Sequence, residues 1–260
     1  MRIFSFGGGV QSTAVMVLVA RGVLVYDHLI FCNVGEDSEY PETLEYFNAV
    51  AVPYAAEKRI DLIELHKYRF GEIETVYERV MRESRSIPIP IRMSNGAPGI
   101  RNCTTDFKIR VIARWLRQHG ATIDEPAITG LGISVDEYQR ARSKSGFDYQ
   151  LLEYPLIDLR MNRQDCINLI KDEGLPVPVR SSCYFCPYHS RDEWIRLKSQ
   201  RPDLFDKVVG IERRLNEKRE TIGKDRVWIH QSLRPLDQVV GDQLMMFEED
   251  VNCESGYCFV

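Results

Sequence analysis

The chain has 260 residues, 44% of them hydrophobic and 28% charged, with a formal net charge of −4. That composition excludes a disordered or collagen-like chain and supplies the core of one large domain, or one domain with a modest extension, without disulfide staples. The charge balance excludes a polycation that adheres to any nucleic acid, and the longest apolar run, residues 14–20, is too short to span a bilayer.

Residues 2–6 read as a short strand, Gly7-Gly8-Gly9 as a turn, and residues 11–20 as an apolar helix. Strand, glycine turn and helix open an α/β unit. Residues 28–34 predict a second strand. Pro41 suits the first turn of a helix that runs to about Arg59, because its missing N–H costs nothing there. Residues 60–65 predict a third strand, 126–131 a fourth, and the stretch from about Tyr149 to Tyr154 a fifth. Between the third and fourth, residues 104–118 place Phe107, Val111, Ile112, Trp115 and Leu116 on one side of an amphipathic helix. After residue 174, Pro176, Pro178 and Pro187 mark an irregular segment, followed by charged helices near 190–199 and 203–221 and a flexible tail. The chain therefore divides into an α/β domain over 1–175 and a cysteine-containing helical extension over 176–260.

Alternating strands and helices predict a parallel sheet with helices on both faces. Ligands of such sheets bind at the carboxyl ends of the strands. Residues 7–9, 33–37 and 130–136 should therefore share one edge. No signal-peptide pattern is present, since Arg2 is the sole early charge and the apolar run ends at Arg21-Gly22. The expected location is cytoplasmic, where the seven cysteines stay reduced and point to a metal, a cluster or redox chemistry.

The turn Ser5-Phe6-Gly7-Gly8-Gly9-Val10-Gln11-Ser12-Thr13 brings backbone N–H groups and the positive end of a helix to one point, which suits an anion. No lysine follows the glycines, so this is not the Walker loop, and the spacing does not fit the dinucleotide fingerprint. The loop resembles the PP-loop of the ATP pyrophosphatases, S-G-G-x-D-S, with Gln11 at the Asp position as in the phosphoadenylyl-sulfate (PAPS) reductases. Residues 33–43, 129–140 and 154–158 resemble further segments of those reductases, in the same order. The mixture is similar to the reductase-like sulfurtransferases that put sulfur into the DNA backbone.

That resemblance implies an adenine nucleotide alpha-hydrolase-like fold. It implies ATP and magnesium (Mg2+) at Ser5, Gly7, Gly8, Gly9, Gln11, Ser12 and Thr13, with adenine near Asn33 and Val34 and Gly130 beside the nucleotide. Arg140 would meet phosphate, and Glu36 and Asp37 would offer oxygen ligands to magnesium. Gln11 cannot be a base at neutral pH and is assigned to positioning.

Cys183-Tyr184-Phe185-Cys186 is a C-x-x-C pair whose thiols can share a metal. Zinc would need partners such as Cys103 and His189, and two structural thiols are the plain alternative. Some adenylyl-sulfate reductases hold a four-iron four-sulfur cluster through a Cys-Cys pair and a later C-x-x-C. Here Asn102 stands at the first position, leaving Cys103, Cys183 and Cys186, with Lys108 matching the family's lysine. Several PP-loop sulfurtransferases bind such a cluster through three cysteines. Cys32 and Cys166 read as small hydrophobes, and Cys253 and Cys258 as tail thiols able to carry a persulfide.

The resemblance implies an ATP-dependent sulfurtransferase that forms AMP and pyrophosphate, with Gln11, Arg140 and Cys103 in catalysis. DNA is the foremost substrate and tRNA the alternative, with a cysteine desulfurase as sulfur donor. Basic residues Arg101, Lys108, Arg110, Arg114, Arg140, Arg142 and Lys144, and a second set from Arg213 to Arg226, could follow a phosphate backbone. A PAPS or adenylyl-sulfate reductase is the main rival, but the tail lacks its E-C-G cysteine. A nucleotide-sensing partner without catalysis is the third reading.

Overall fold

In the computed structural model, which describes residues 1–241, the strands are β1 (Arg2–Phe6), β2 (His28–Asn33), β3 (Leu62–His66), β4 (Tyr68–Arg69), β5 (Glu72–Ile73), β6 (Ala127–Leu131) and β7 (Gln150–Glu153). Five form one sheet in the order β3-β2-β1-β6-β7, and every pairing within it is parallel. β4 and β5 form a separate antiparallel ribbon. The five sheet strands overlap the five expected from the sequence, with ends shifted by at most two residues.

Alternation along each strand divides the sheet between two cores. Phe4 and Phe6 of β1, with Leu29 and Phe31 of β2, face helices Val10–Ala20 and Arg163–Asp172 and the helix that begins at Pro41. Phe31 stacks on Phe47 with centroids 4.2 Å apart. Ile3, Ile30 and Cys32 point the other way, onto Ile112, Trp115 and Leu116. Each large apolar side chain so buried contributes roughly 1.5–3 kcal/mol. Helices thus cover both faces. The helix Val10–Ala20 is buried almost all round, which explains why it carries no charged residue.

Two helices each run through a π turn. Pro41–Tyr46 continues through Phe47–Ala51 into Val52–Glu57. Pro53 cannot donate to the carbonyl one turn back, and the wider turn just before it relieves the clash. Asn102–Thr104 continues through Thr105–Ile109 into Arg110–Gln118.

Beyond residue 176 the chain returns to the carboxyl edge of the sheet. The Tyr40 N–H donates to the Ser182 carbonyl at 2.9 Å, and the Tyr184 N–H to the Ser38 carbonyl at 3.1 Å. Helices Arg191–Gln200 and Pro202–Thr221 bring Trp194, Leu197, Phe205 and Val208 onto Val34, Val76 and Phe107. Residues on either side of position 175 therefore share this third core. Glu212 ties the end down, accepting from the N–H groups of Ile229 (2.8 Å) and Leu236 (2.9 Å). Cys253 and Cys258 lie outside the described residues. Among the described residues no helix is long and apolar enough to cross a membrane.

Candidate functional site: a glycine-turn pocket and a cysteine chamber

β1 is the strand from which the sheet order runs outward in both directions, the switch point where open α/β sheets leave a crevice. A cavity of about 590 Å³ lies there, between the turn after β1 and the segment after β6. Gly8 adopts φ +73°, which only glycine takes without strain. The turn delivers the chain to Gly9, the N-cap of the first helix. Ser12 folds back on this cap, its Oγ accepting from the Gly9 N–H at 3.0 Å and donating to the Gly9 carbonyl at 2.9 Å. No acidic residue occupies the first turn, so the positive helix end faces the cavity undiminished.

Distant segments supply the cations. Arg140, 7% exposed, pairs with Glu137 at 2.6 Å. Arg163 donates to the Gln11 Oε1 at 3.0 Å, while the Gln11 amide donates to Glu137 at 3.2 Å. Arg180 grips Glu193 through both carboxylate oxygens, at 2.9 and 2.8 Å. Burial works upward on Glu193, but Arg180 and the Ser190 N–H help bring its carboxyl below the ordinary value. Arg140 and Arg180 are thus matched to carboxylates and Arg163 to an amide, an arrangement that phosphate can enter by exchange of partners.

Of the residues singled out from the sequence, Ser5, Gly7, Gly9, Gln11, Ser12 and Arg140 line this cavity. Gly8 sits behind them, where an added Cβ would lie 3.2 Å from Thr43 Cγ2. Thr13 is fully buried. Gly130 stays within β6, where a Cβ would collide with the Tyr26 hydroxyl at 2.4 Å; Gly132, two residues on, is at the wall. Asn33 bonds Glu64 (2.7 Å) and the Gly35 N–H (2.8 Å), and Val34 is core, so neither is part of the wall. Asp37 accepts from Ser38 and Thr75, outside the cavity, whereas Asp136, Glu137, Asp192 and Glu193 are the carboxylates on its wall. Magnesium needs only one or two such carboxylates beside phosphate oxygens, and this donor set fits it. Arg163, Arg180, Ser181 and Arg196 were not read from the sequence. Arg163 left a signal, since a cation in the first turn of a helix opposes the dipole.

The cysteine chamber lies beside the 38–40 segment. Cys183 bridges to Glu39, and the Cys186 N–H donates to the Cys183 carbonyl at 3.1 Å. Burial pushes the Cys183 thiol well up, and Glu39, Cys186 and Cys103 add to it. Burial likewise raises Cys103, against Arg101. Cys183 thus feels both of the other thiols. Such thiols ionise when a metal supplies positive charge, which is how they fit a cluster. Glu39 is 1% exposed, and its carboxylate, held up by burial, has Lys108 as ion-pair partner at 3.8 Å and no hydrogen-bond donor. Among the described residues no three His, Cys, Asp or Glu side chains are gathered as for a single ion. The His189 Nε2 faces the Ser182 hydroxyl at 3.0 Å, and its Nδ1 has no hydrogen-bond partner. Cys32 and Cys166 are buried, their thiols pushed up to about 12 by burial, as small hydrophobes would be.

No family model matches the chain. An uncharacterized protein of Methanocaldococcus jannaschii is 25% identical over 219 residues, 81% of this chain and 47% of that protein. The chain spans about half the length of this curated relative. Among solved structures, the U34-tRNA thiolase NcsA from Methanococcus maripaludis, described with its 4Fe-4S cluster, is similar at 16% identity with a TM-score of 0.43, over 95% of this chain and 82% of that one.

Proposed function

We propose that the chain is a PP-loop enzyme that binds ATP over the glycine turn and adenylates a substrate oxygen for replacement by sulfur. One observation carries the reading. At the switch point of a parallel sheet, a glycine turn and a helix N-terminus converge with Arg140, Arg163 and Arg180, and the cavity is of nucleotide size.

The substrate oxygen attacks the α-phosphorus. The bond to the β-phosphate oxygen breaks, and pyrophosphate leaves. The helix end and the arginines stabilise the charge that builds on the phosphates. Gln11 keeps Arg163 aimed at the turn and moves no proton. Sulfide, released from a cysteine desulfurase's persulfide by a thiol reductant, then attacks the phosphorus or carbon that bears the adenylated oxygen, and that oxygen leaves with AMP. Cys103, Cys183 and Cys186 would hold a four-iron cluster, which when bound presents an iron not taken by cysteine and so able to bind sulfide. Glu39 and Lys108 border that chamber. The substrate class is nucleic acid, a DNA phosphate oxygen or a tRNA base oxygen, with a cysteine desulfurase as sulfur source.

The test is anaerobic incubation with magnesium and α-labelled ATP. AMP with pyrophosphate is the expected product pair. ADP, or sulfite released from an adenylyl sulfate without ATP turnover, would overturn the assignment.

A further inference from the structure

We propose that a second groove, walled by Arg110, Arg114, Arg117, Gln118, Phe147 and Tyr149, is the docking track for a single-stranded stretch of nucleic acid. The inference rests on the nucleic-acid part of the reading above and names the surface that holds that substrate. The groove is shallow, with a volume of about 420 Å³, and shares no residue with the glycine-turn cavity.

Its charge is ordered. Arg110, Arg114 and Arg117 stand four and three residues apart on one helix and so share a face. Along the axis they are about 6 and 4.5 Å apart, a ladder for successive phosphates. Arg110 is paired with Asp106 at 2.7 Å. Among the described residues neither Arg114 nor Arg117 pairs with a carboxylate, and both are exposed. The opposite wall is aromatic. Phe147 and Tyr149 lie 5.4 Å apart, and the Arg117 guanidinium sits 5.5 Å from the Tyr149 ring centre. Arg142 and Lys144 are exposed on the loop that leads to Phe147, and Asp148 is the exposed acid between the rings. Cations beside flat rings fit a strand whose phosphates are exposed and whose bases are unstacked.

The placement favours a polymer over a free nucleotide. Cys103 lies in the first turn of the same continuous helix, eleven positions before Arg114, about 16 Å along the axis. A mononucleotide in the groove stays remote from the cysteine end, whereas a strand of several nucleotides spans the distance.

RNA and DNA share this chemistry, so the experiment uses both: a labelled tRNA transcript and a single-stranded DNA oligonucleotide of equal length, titrated with the full chain over a salt series. The double variant Arg114→Gln, Arg117→Gln should weaken binding at least about tenfold and lower the salt slope by about 1.4, two charges at about 0.7 each. Phe147→Ala should weaken it about tenfold with the slope unchanged. Lys207→Gln, exposed on the helix Pro202–Thr221 and outside both basic sets, should leave binding as it was. Thermal unfolding reports whether each variant is folded. Binding by the double variant with unchanged affinity and slope would overturn the groove and leave the nucleic-acid reading standing. A wild-type chain that makes AMP from ATP yet binds neither polymer would overturn both, with adenylation surviving. Whichever polymer binds more tightly identifies the source.

Discussion

Around the glycine turn, Arg140, Arg163 and Arg180 each have a partner from the chain itself: Glu137, Gln11 and Glu193. Around Cys183 the balance differs. Glu39 is buried with no hydrogen-bond donor and with Lys108 as its ion-pair partner 3.8 Å away, and burial raises the Cys183 and Cys103 thiols. The first region holds its shape by internal exchange of charges and accepts an anion by swapping partners. The second rests on a long ion pair beside buried thiols, and a buried polar atom without a hydrogen bond costs roughly 1–3 kcal/mol. The pocket should therefore work with magnesium alone, whether or not the cysteines hold iron, while the cysteine region should depend on what it binds.

The sharpest way to break this comparison is Gly8→Val. A β-branched residue at φ +73° is strained by roughly 1–2 kcal/mol, and its Cβ would press on Thr43. Displacing the backbone N–H groups of the turn should reduce AMP formation more than about a hundredfold, which a radiolabel assay reads directly. Iron uptake at the cysteines should survive; loss of both would mean that the two regions are one.

Cys183→Ser should do the reverse. Iron and sulfide retained after anaerobic reconstitution should fall to background, with AMP formation kept within about twofold, since serine nearly keeps the size of the side chain and leaves Arg180 and Ser181 on the cavity wall. Retention of iron by this variant would remove Cys183 from the ligand set.

Arg163→Ala is subtler. The side chain is exposed and its bond to Gln11 is charge-assisted. The KM for ATP should rise about tenfold, with stability changed by less than about 0.5 kcal/mol. An unchanged KM would take Arg163 off the phosphates.

The smallest effect concerns acid. Burial works upward on Glu74, but Lys67 and Arg82 together bring its carboxyl below the usual 4.5. A depressed carboxyl stabilises the fold above 4.5, and that contribution disappears as pH falls through the lower folded value. Lys67 also lies 4.2 Å from the centre of the Phe107 ring, on the helix that carries Cys103. Glu74→Gln should therefore lower the urea midpoint at neutral pH, cost about 1–3 kcal/mol, and flatten the acid limb of stability against pH, with ATP affinity unaltered. An acid limb as steep as wild type would place the sensitivity elsewhere.

What the sequence disclosed follows the range of the forces involved. The strands of the sheet read as short apolar runs bounded by turns, and contiguous residues carry the glycine loop, whereas the fold-back of Ser12 on Gly9 appears only in the structure. Arg163 and Arg180 depend on chain segments more than 150 residues from the loop, a relation that periodicity does not carry. Gly130 and Gly132 look alike in the string, yet the first is needed for packing against Tyr26 and the second lies beside Gln11 and Ser12. The segment from 67 to 101 stayed unread because its order comes from tertiary pairing, such as Arg92 with Trp228 and Glu74 with its two cations.

Gln11 clasps Arg163 with its carbonyl and Glu137 with its amide. A carboxylate in that place would attract the arginine more strongly but would release it on protonation and would repel an incoming polyphosphate. The amide does neither. It is a latch without a charge of its own, so the guanidinium of Arg163 is held without being neutralised.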